Sequence, residues 1–254
     1  MLRFTVGMIV ALLVTQVAVI ATSVYLHRGL AHRALTLHPF ADWLFRCVLW
    51  ISTGQNRREW VAVHRKHHAF TDKEGDPHSP LILGFWKIQL GNVYYYVREA
   101  RNPETIARWA KDIKEDAWDR LFNLGIVGGI VGVALAMLVF GPLWGFVVAL
   151  THFVLYVFVL APAINGLGHW WGRRNFSTNN ATNIRLLAWL TGGESLHNNH
   201  HAYPSSPKFS MDRFEFDPSW VVIKLLVALR LISLVADKGQ ARIAPVAFLR
   251  DRNA

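Results

Sequence analysis

Three stretches of this chain contain no Asp, Glu, Lys or Arg: Phe4 to Leu26, Leu121 to Phe140 and Leu143 to Ile164. A helix needs about 20 predominantly apolar residues to cross a hydrocarbon core, and each stretch supplies that length. The first exceeds the roughly 7–15 residues of a secretory signal's apolar region, so it reads as a retained helix. Composition agrees, because 52% hydrophobic and 17% charged residues make a chain too apolar for a soluble protein. Two weaker runs are Leu37 to Ile51, interrupted by Asp42 and Arg46, and Trp220 to Val235, interrupted by Lys224 and Arg230. Each reads either as a span or as an amphipathic helix lying in the interface.

Lys and Arg outnumber Asp and Glu by 27 to 17. They are interleaved with apolar runs and not gathered on a polar domain, which favours an anionic membrane face and argues against nucleic acid. The single cysteine, Cys47, excludes an internal disulfide, a four-cysteine zinc site and a self-contained iron–sulfur cluster.

Of twelve histidines, eight fall in three short windows. HRGLAHR holds His27 and His32, HRKHH holds His64, His67 and His68, and HNNHH holds His197, His200 and His201. Spacings i, i+3 and i+4 set three imidazoles on one helical stripe, as a polynuclear site requires. A five-residue spacing does not share an α-helical face, so the first helix is expected to end or bend between His27 and His32. Imidazole suits iron, zinc, copper and nickel, and leaves a second ring nitrogen for a carboxylate partner. Eight imidazoles exceed one coordination sphere of about four to six ligands, which predicts two metals.

The windows also decide topology. Were Leu37 to Ile51 to cross the membrane, the first two windows would face opposite compartments, so that run is expected to be interfacial. Leu121 to Ile164 then forms a hairpin turning at Gly141-Pro142. The N-terminus lies outside, and every Lys and Arg except Arg3 falls on the histidine side, as the positive-inside rule demands. The expectation is one all-α integral membrane domain spanning residues 1–254, with spans at 4–26, 121–140 and 143–164. Interfacial helices are expected at 37–51 and 220–235, and a histidine-rich cytoplasmic cap is formed by Arg28 to Arg120 and His169 to Ala254. A bacterial cytoplasmic membrane is the expected location.

With HRGLAHR, EWVAVHRKHH followed by Asp76-Pro77-His78, and GGESLHNNHHAYPSS in place, the chain resembles the membrane-bound fatty acid desaturases of the delta-9 acyl-CoA or acyl-lipid type, from His27 to about Pro207. The resemblance implies an oxygen-dependent di-iron enzyme of lipid metabolism and fatty acid biosynthesis that desaturates a saturated acyl chain. Its implied iron ligands are His27, His32, His64, His67, His68, His197, His200 and His201. It adds an N-x-x-x-H element, here Asn165 acting through a water and His169 as a ninth ligand; on the residues alone His169 reads equally as a ligand or as an interfacial residue. Implied partners are the fatty acyl substrate, membrane lipids, dioxygen, and an electron donor such as ferredoxin or cytochrome b5.

Two departures from the pattern matter. Typical members carry one more transmembrane helix before the first window than this chain does, which makes the bundle smaller or the start late. Ala62 and Val63 replace the charged residues that animal acyl-CoA enzymes carry before the second triplet, which favours an acyl-lipid substrate.

Glu59, Asp76 and Glu194 are either carboxylate partners for ligand N–H groups or exposed charges of the cap. Arg57, Arg58, Arg65, Lys66, Arg173 and Arg174 are candidates to meet a headgroup phosphate. His38 and His78 are expected beside the ligands or at the surface, and His152 within the bundle or along the substrate path. Trp43, Trp50, Trp60, Trp170 and Trp171 read as interface anchors, Trp60 also as a wall of the acyl tunnel. The rival readings are a hydroxylase of the same superfamily and a metal transporter or sensor. The last requires ionisable residues inside the spans, where, tyrosines apart, only His152 is found.

Overall fold

The computed structural model describes residues 2–235, so the part of the expected cap from residue 236 onward lies outside the described residues. The charge-free N-terminal stretch forms α1, Leu2–Ala21, and then continues without a break as a π-helical segment, Thr22–Ala31. The expected end between His27 and His32 is found at Ala31, with His32 as its cap, and the turns leading to it are π-wound. Bonding from i to i+5, with His32 N–H donating to the His27 carbonyl at 3.0 Å, brings residues five apart back to one face.

Two helices are long and apolar enough to cross a membrane, Phe4–Ala31 and Pro142–His169, each of 28 residues. At about 1.5 Å per residue each runs to roughly 42 Å, longer than a hydrocarbon core of about 30 Å.

The second of these helices is composite: α9 (Pro142–Val154), a π-helical segment (Leu155–Leu160), α10 (Ala161–Asn165) and a 3₁₀ turn (Leu167–His169). Before it comes α8, Gly125–Phe140, and the hairpin between them turns at Gly141, whose φ of 83° suits glycine. The expected span from Leu121 is shortened at its start, because Asp119–Phe122 forms a separate turn, α7. Its Asp119 accepts from Arg46 at 2.8 Å and from Arg57 at 2.6 Å. Outward faces of α8 are apolar, with Ile126 84% and Leu138 81% exposed.

Helix α2 covers Pro39–Ser52. It starts two residues later than expected because His38 caps it, Nδ1 accepting from Phe40 N–H at 3.2 Å. Its C-terminal end is wedged among the apolar helices: the Ser52 carbonyl accepts from His152 Nε2 at 2.8 Å. Glycines make room for it. A Cβ at Gly125, Gly128 or Gly132 would stand 2.1, 2.2 or 2.1 Å from the carbonyl oxygens of Gly54, Trp50 and Ile51.

The remaining helices run from 4 to 16 residues. They are α3 (Arg57–Phe70), α4 (Pro80–Leu83), α5 (Phe85–Ala100), α6 (Pro103–Trp109), α11 (Arg185–Ala188), α12 (His197–Ala202) and α13 (Pro218–Ala228). The all-α expectation needs one correction. The helix expected over 220–235 stops at Ala228; Arg230, at φ 58°, turns the chain, and Ile232–Leu234 (β2) pairs antiparallel with Leu35–Leu37 (β1), Leu35 facing Leu234. This ribbon covers Val24 and Ile223 in one buried cluster, while Ala31, Val61, Ala62, Ala110 and Ile113 form another. Ala62 and Val63 are core residues, 0% and 1% exposed.

Candidate metal centre

Three elements deliver the histidines. The π-helical end of α1 brings His27 and His32 to rings 4.9 Å apart. Helix α3 is started by Asn56, whose side chain accepts from the Arg58 and Glu59 N–H groups, and carries His64, His67 and His68. Helix α12, of 6 residues, is too short to hold itself and is clamped by its own asparagines. Buried Asn199 donates to Glu215 at 2.7 Å and to the Phe209 carbonyl at 2.8 Å, while Asn198 accepts from the Asn175 and Phe176 N–H groups at 2.7 and 2.8 Å.

The imidazoles assemble into two groups, each with its ligand atoms within 4.8 Å of one another: His27, His32, His64, His68 and His200, and His67, His169, His197 and His201. All nine histidines expected as ligands are in one or the other. A triplet does not serve one group, however. In α3 the i, i+4 pair His64 and His68 joins the five-membered group and His67 the other; in α12 His197 and His201 join the four-membered group and His200 the other. Each triplet straddles both sites, which fixes their separation.

Carboxylates set the tautomers. His27 Nδ1 lies 2.5 Å from Glu194, His67 Nδ1 3.0 Å from Asp76, and His169 Nδ1 3.0 Å from Asp72; His197 Nδ1 lies 3.2 Å from the Glu194 carbonyl. A neutral imidazole that donates from Nδ1 presents a bare lone pair at Nε2. In the four-membered group three such lone pairs converge, and His201 brings at most one N–H to share among them. Buried His169 Nε2 has no hydrogen-bond partner among the described residues. Cations remove this repulsion, and an all-imidazole donor set fits iron, zinc, copper or nickel.

Burial, then the neighbouring imidazoles, hold His32, His64, His68, His200 and His201 well below the ordinary histidine pKa, and His197 likewise. They are neutral at pH 7, the form that binds metal. Burial pushes Asp76 and Glu194 up, but His67 and His78 around Asp76, and His27, Arg28 and Ser23 around Glu194, bring both below the usual carboxylate values.

Of the predicted carboxylate partners, Asp76 and Glu194 touch ligand rings. Glu59 touches no histidine among the described residues; burial raises its pKa, with Arg101 opposing. Asp72 was not singled out, because its partner His169 lies 97 positions away. Asn165 lines the cavity described below, and its Nδ2 donates to Asn92 Oδ1 at 3.0 Å. His78 is buried and stacks on His67 at 4.6 Å between ring centroids.

The headgroup candidates divide. Arg57 pairs with Asp116 and Asp119, Arg58 with Glu115, Arg65 with Asp112 and Lys66 with Glu99, so these four are tied into the cap. Arg173 and Arg174 are exposed and make no ion pair among the described residues. His152 hydrogen-bonds within the bundle, Nδ1 standing 3.0 Å from Thr15 Oγ1.

An apolar cavity leads from the bundle to the histidines. Val19, Tyr156, Leu160 and Ile164 line one part; Trp60, His27, His64, His67 and His197 line the other.

Residues 4–215 match the family model described as fatty acid desaturase. The chain is 30% identical over 93% of its length to delta-9 acyl-lipid desaturase 1 of Arabidopsis thaliana, covering 78% of that protein. It is 31% identical over 84% of its length to an acyl-CoA C20 delta5-desaturase of Anemone leveillei, covering 68% of it. To an sn-1 stearoyl-lipid 9-desaturase of Synechocystis sp. it is 30% identical over 81% of its length, covering 64% of that protein.

Proposed function

Because the chain belongs to the fatty acid desaturase family, we propose that it is an oxygen-dependent di-iron desaturase that places a double bond in a saturated fatty acyl chain carried on a membrane lipid. The observation that carries this reading is the apolar cavity ending on imidazoles of both groups. One iron is assigned to His27, His32, His64, His68 and His200, the other to His67, His169, His197 and His201, with Asn165 orienting a water. When bound, the irons supply the activation of dioxygen needed to remove hydrogen from two adjacent methylenes.

The chain's own residues do the positioning. Methylenes offer no polar handle, so Val19, Trp60, Leu160 and Ile164 must hold the acyl chain by shape, and its headgroup must be met at a distance, for which Arg173 and Arg174 are the two of the six headgroup candidates left without an ion pair among the described residues. Asp72, Asp76 and Glu194 keep protons on the outward ring nitrogens and the inward lone pairs aimed. Ala62 and Val63, buried as they are, leave no charged contact for coenzyme A on that turn of α3.

The fold suits a multi-pass membrane protein crossing three times, through α1, α8 and α9 to α10, with the histidine groups on the cytoplasmic side. Reducing dioxygen to two waters takes four electrons and the acyl chain yields two, so an external carrier must supply two more.

The test is expression in a host lacking its own desaturase, followed by mass spectrometry of its lipids. A new double bond at one position in lipid-bound chains is the expected product; a hydroxylated chain, or no product with iron bound, overturns the reading.

A further inference from the structure

On the surface of the cap a wide, open depression is lined by Arg33, Arg65, Arg108, Lys111, Asp112 and His32, among others. Its charge is lopsided. Among the described residues Asp112, held down to about pKa 2 chiefly by Arg65 against the effect of burial, is its one carboxylate, against four cations. Arg65 and Arg33 reach Asp112 at 2.5 and 2.8 Å, which leaves Arg108 and Lys111, both exposed, without an ion pair among the described residues. One wall of this depression is His32, whose Nε2 stands 2.8 Å from His64 Nε2 inside the five-membered group. The apolar cavity reaches the same group through His27 and His64 and does not include His32. The five-membered group is thus approached by two separate routes, one apolar and one cationic.

We propose that the depression around Arg108 and Lys111 docks an acidic one-electron carrier protein, which passes its electron through His32. This rests on the reading of the chain as a di-iron desaturase. Electron transfer weakens steeply with distance, and no other wall of the depression belongs to either imidazole group. A carrier with carboxylates ringing its exposed redox group finds complementary charge there, which speeds encounter and fixes orientation. Two successive dockings each oxidise one carrier by one electron. Together they supply the two electrons which, with two from the acyl chain's paired hydrogens and two protons from solvent, complete the reduction of dioxygen to two waters.

The test compares wild type, Arg108→Glu/Lys111→Glu, and Lys87→Glu/Arg98→Glu, the last pair lying on α5 outside the depression. All are iron-loaded in lipid nanodiscs and matched for iron content. Two probes are used, a plant-type ferredoxin and the soluble domain of cytochrome b5. Binding of the oxidised probe is measured by titration, and iron reduction by the reduced probe by stopped-flow without acyl substrate. For at least one probe, the Arg108/Lys111 reversal should raise Kd by about ten-fold at low ionic strength, slow reduction to match, and abolish the salt dependence of both. The α5 reversal should do neither. Equal weakening by both reversals, or none by the first, overturns the docking site. The desaturase reading fails separately, if chemically reduced wild type makes no double bond.

Discussion

A single aspartate separates what spacing can reveal from what folding must supply. The three histidine windows were legible because ligands on one element obey that element's own geometry. Asp76, nine residues after His67, lies within reach of such local reasoning. Asp72 is joined to His169 only by the tertiary fold, and no sequence interval relates them. Both carboxylates hold a ligand's N–H, so Asp72→Asn should weaken metal retention by about 10–100-fold, whereas Glu59→Gln, which touches no ligand, should not alter it. Metal content after dialysis against graded chelator measures both, with His67→Ala and His200→Ala, drawn from different groups, each expected to retain about one iron of two. Acid should act on the same residues. Because six ligand histidines outside the spans are depressed below their ordinary value of about 6.5, they stay neutral until the pH falls beneath it. The unfolded chain binds the extra protons first, so metal-free stability falls as pH drops through that value, while the folded site should keep its metal at pH 7 and lose it only well below 6.5. Loss of metal between pH 8 and 7 would contradict this.

Among the elements, the charge-free stretches located the long helices, but not the way their backbones are wound. The π-helical winding of Thr22–Ala31 left no compositional trace, and its sign was the five-residue interval between His27 and His32, which under α-helical geometry implied a break. Helix α2 was placed at the interface by the parity of the histidine windows, whereas its last turn lies against α8. The glycines that permit this contact give a sharp prediction. Gly128→Ala would put a Cβ 2.2 Å from the Trp50 carbonyl oxygen, and Gly132→Ala one 2.1 Å from that of Ile51; neither backbone can yield without parting α2 from α8. Each should cost about 1–3 kcal/mol, typical of overpacking. Gly129→Ala, with nothing within 4 Å, is the neutral control on the same helix and gains slightly in helix propensity. Thermal unfolding in detergent separates the three; a destabilised Gly129→Ala would point to the helix itself and not to the contact.

At the scale of the whole molecule, the parity argument made from histidine positions has a structural counterpart in α2. Arg46, midway along this helix, and Arg57, at the start of α3, pair with the same two carboxylates, Asp116 and Asp119. The chain has therefore returned to the level it left, which a crossing helix could not do. Were α2 to cross, His32 and His64 would lie on opposite faces, yet their Nε2 atoms are 2.8 Å apart. A topology reporter inserted at the Gly141-Pro142 turn should accordingly read as outside, and one beside exposed Lys73 as inside. An outside signal at Lys73 would mean that α2 spans, and the two imidazole groups could then not form from one chain.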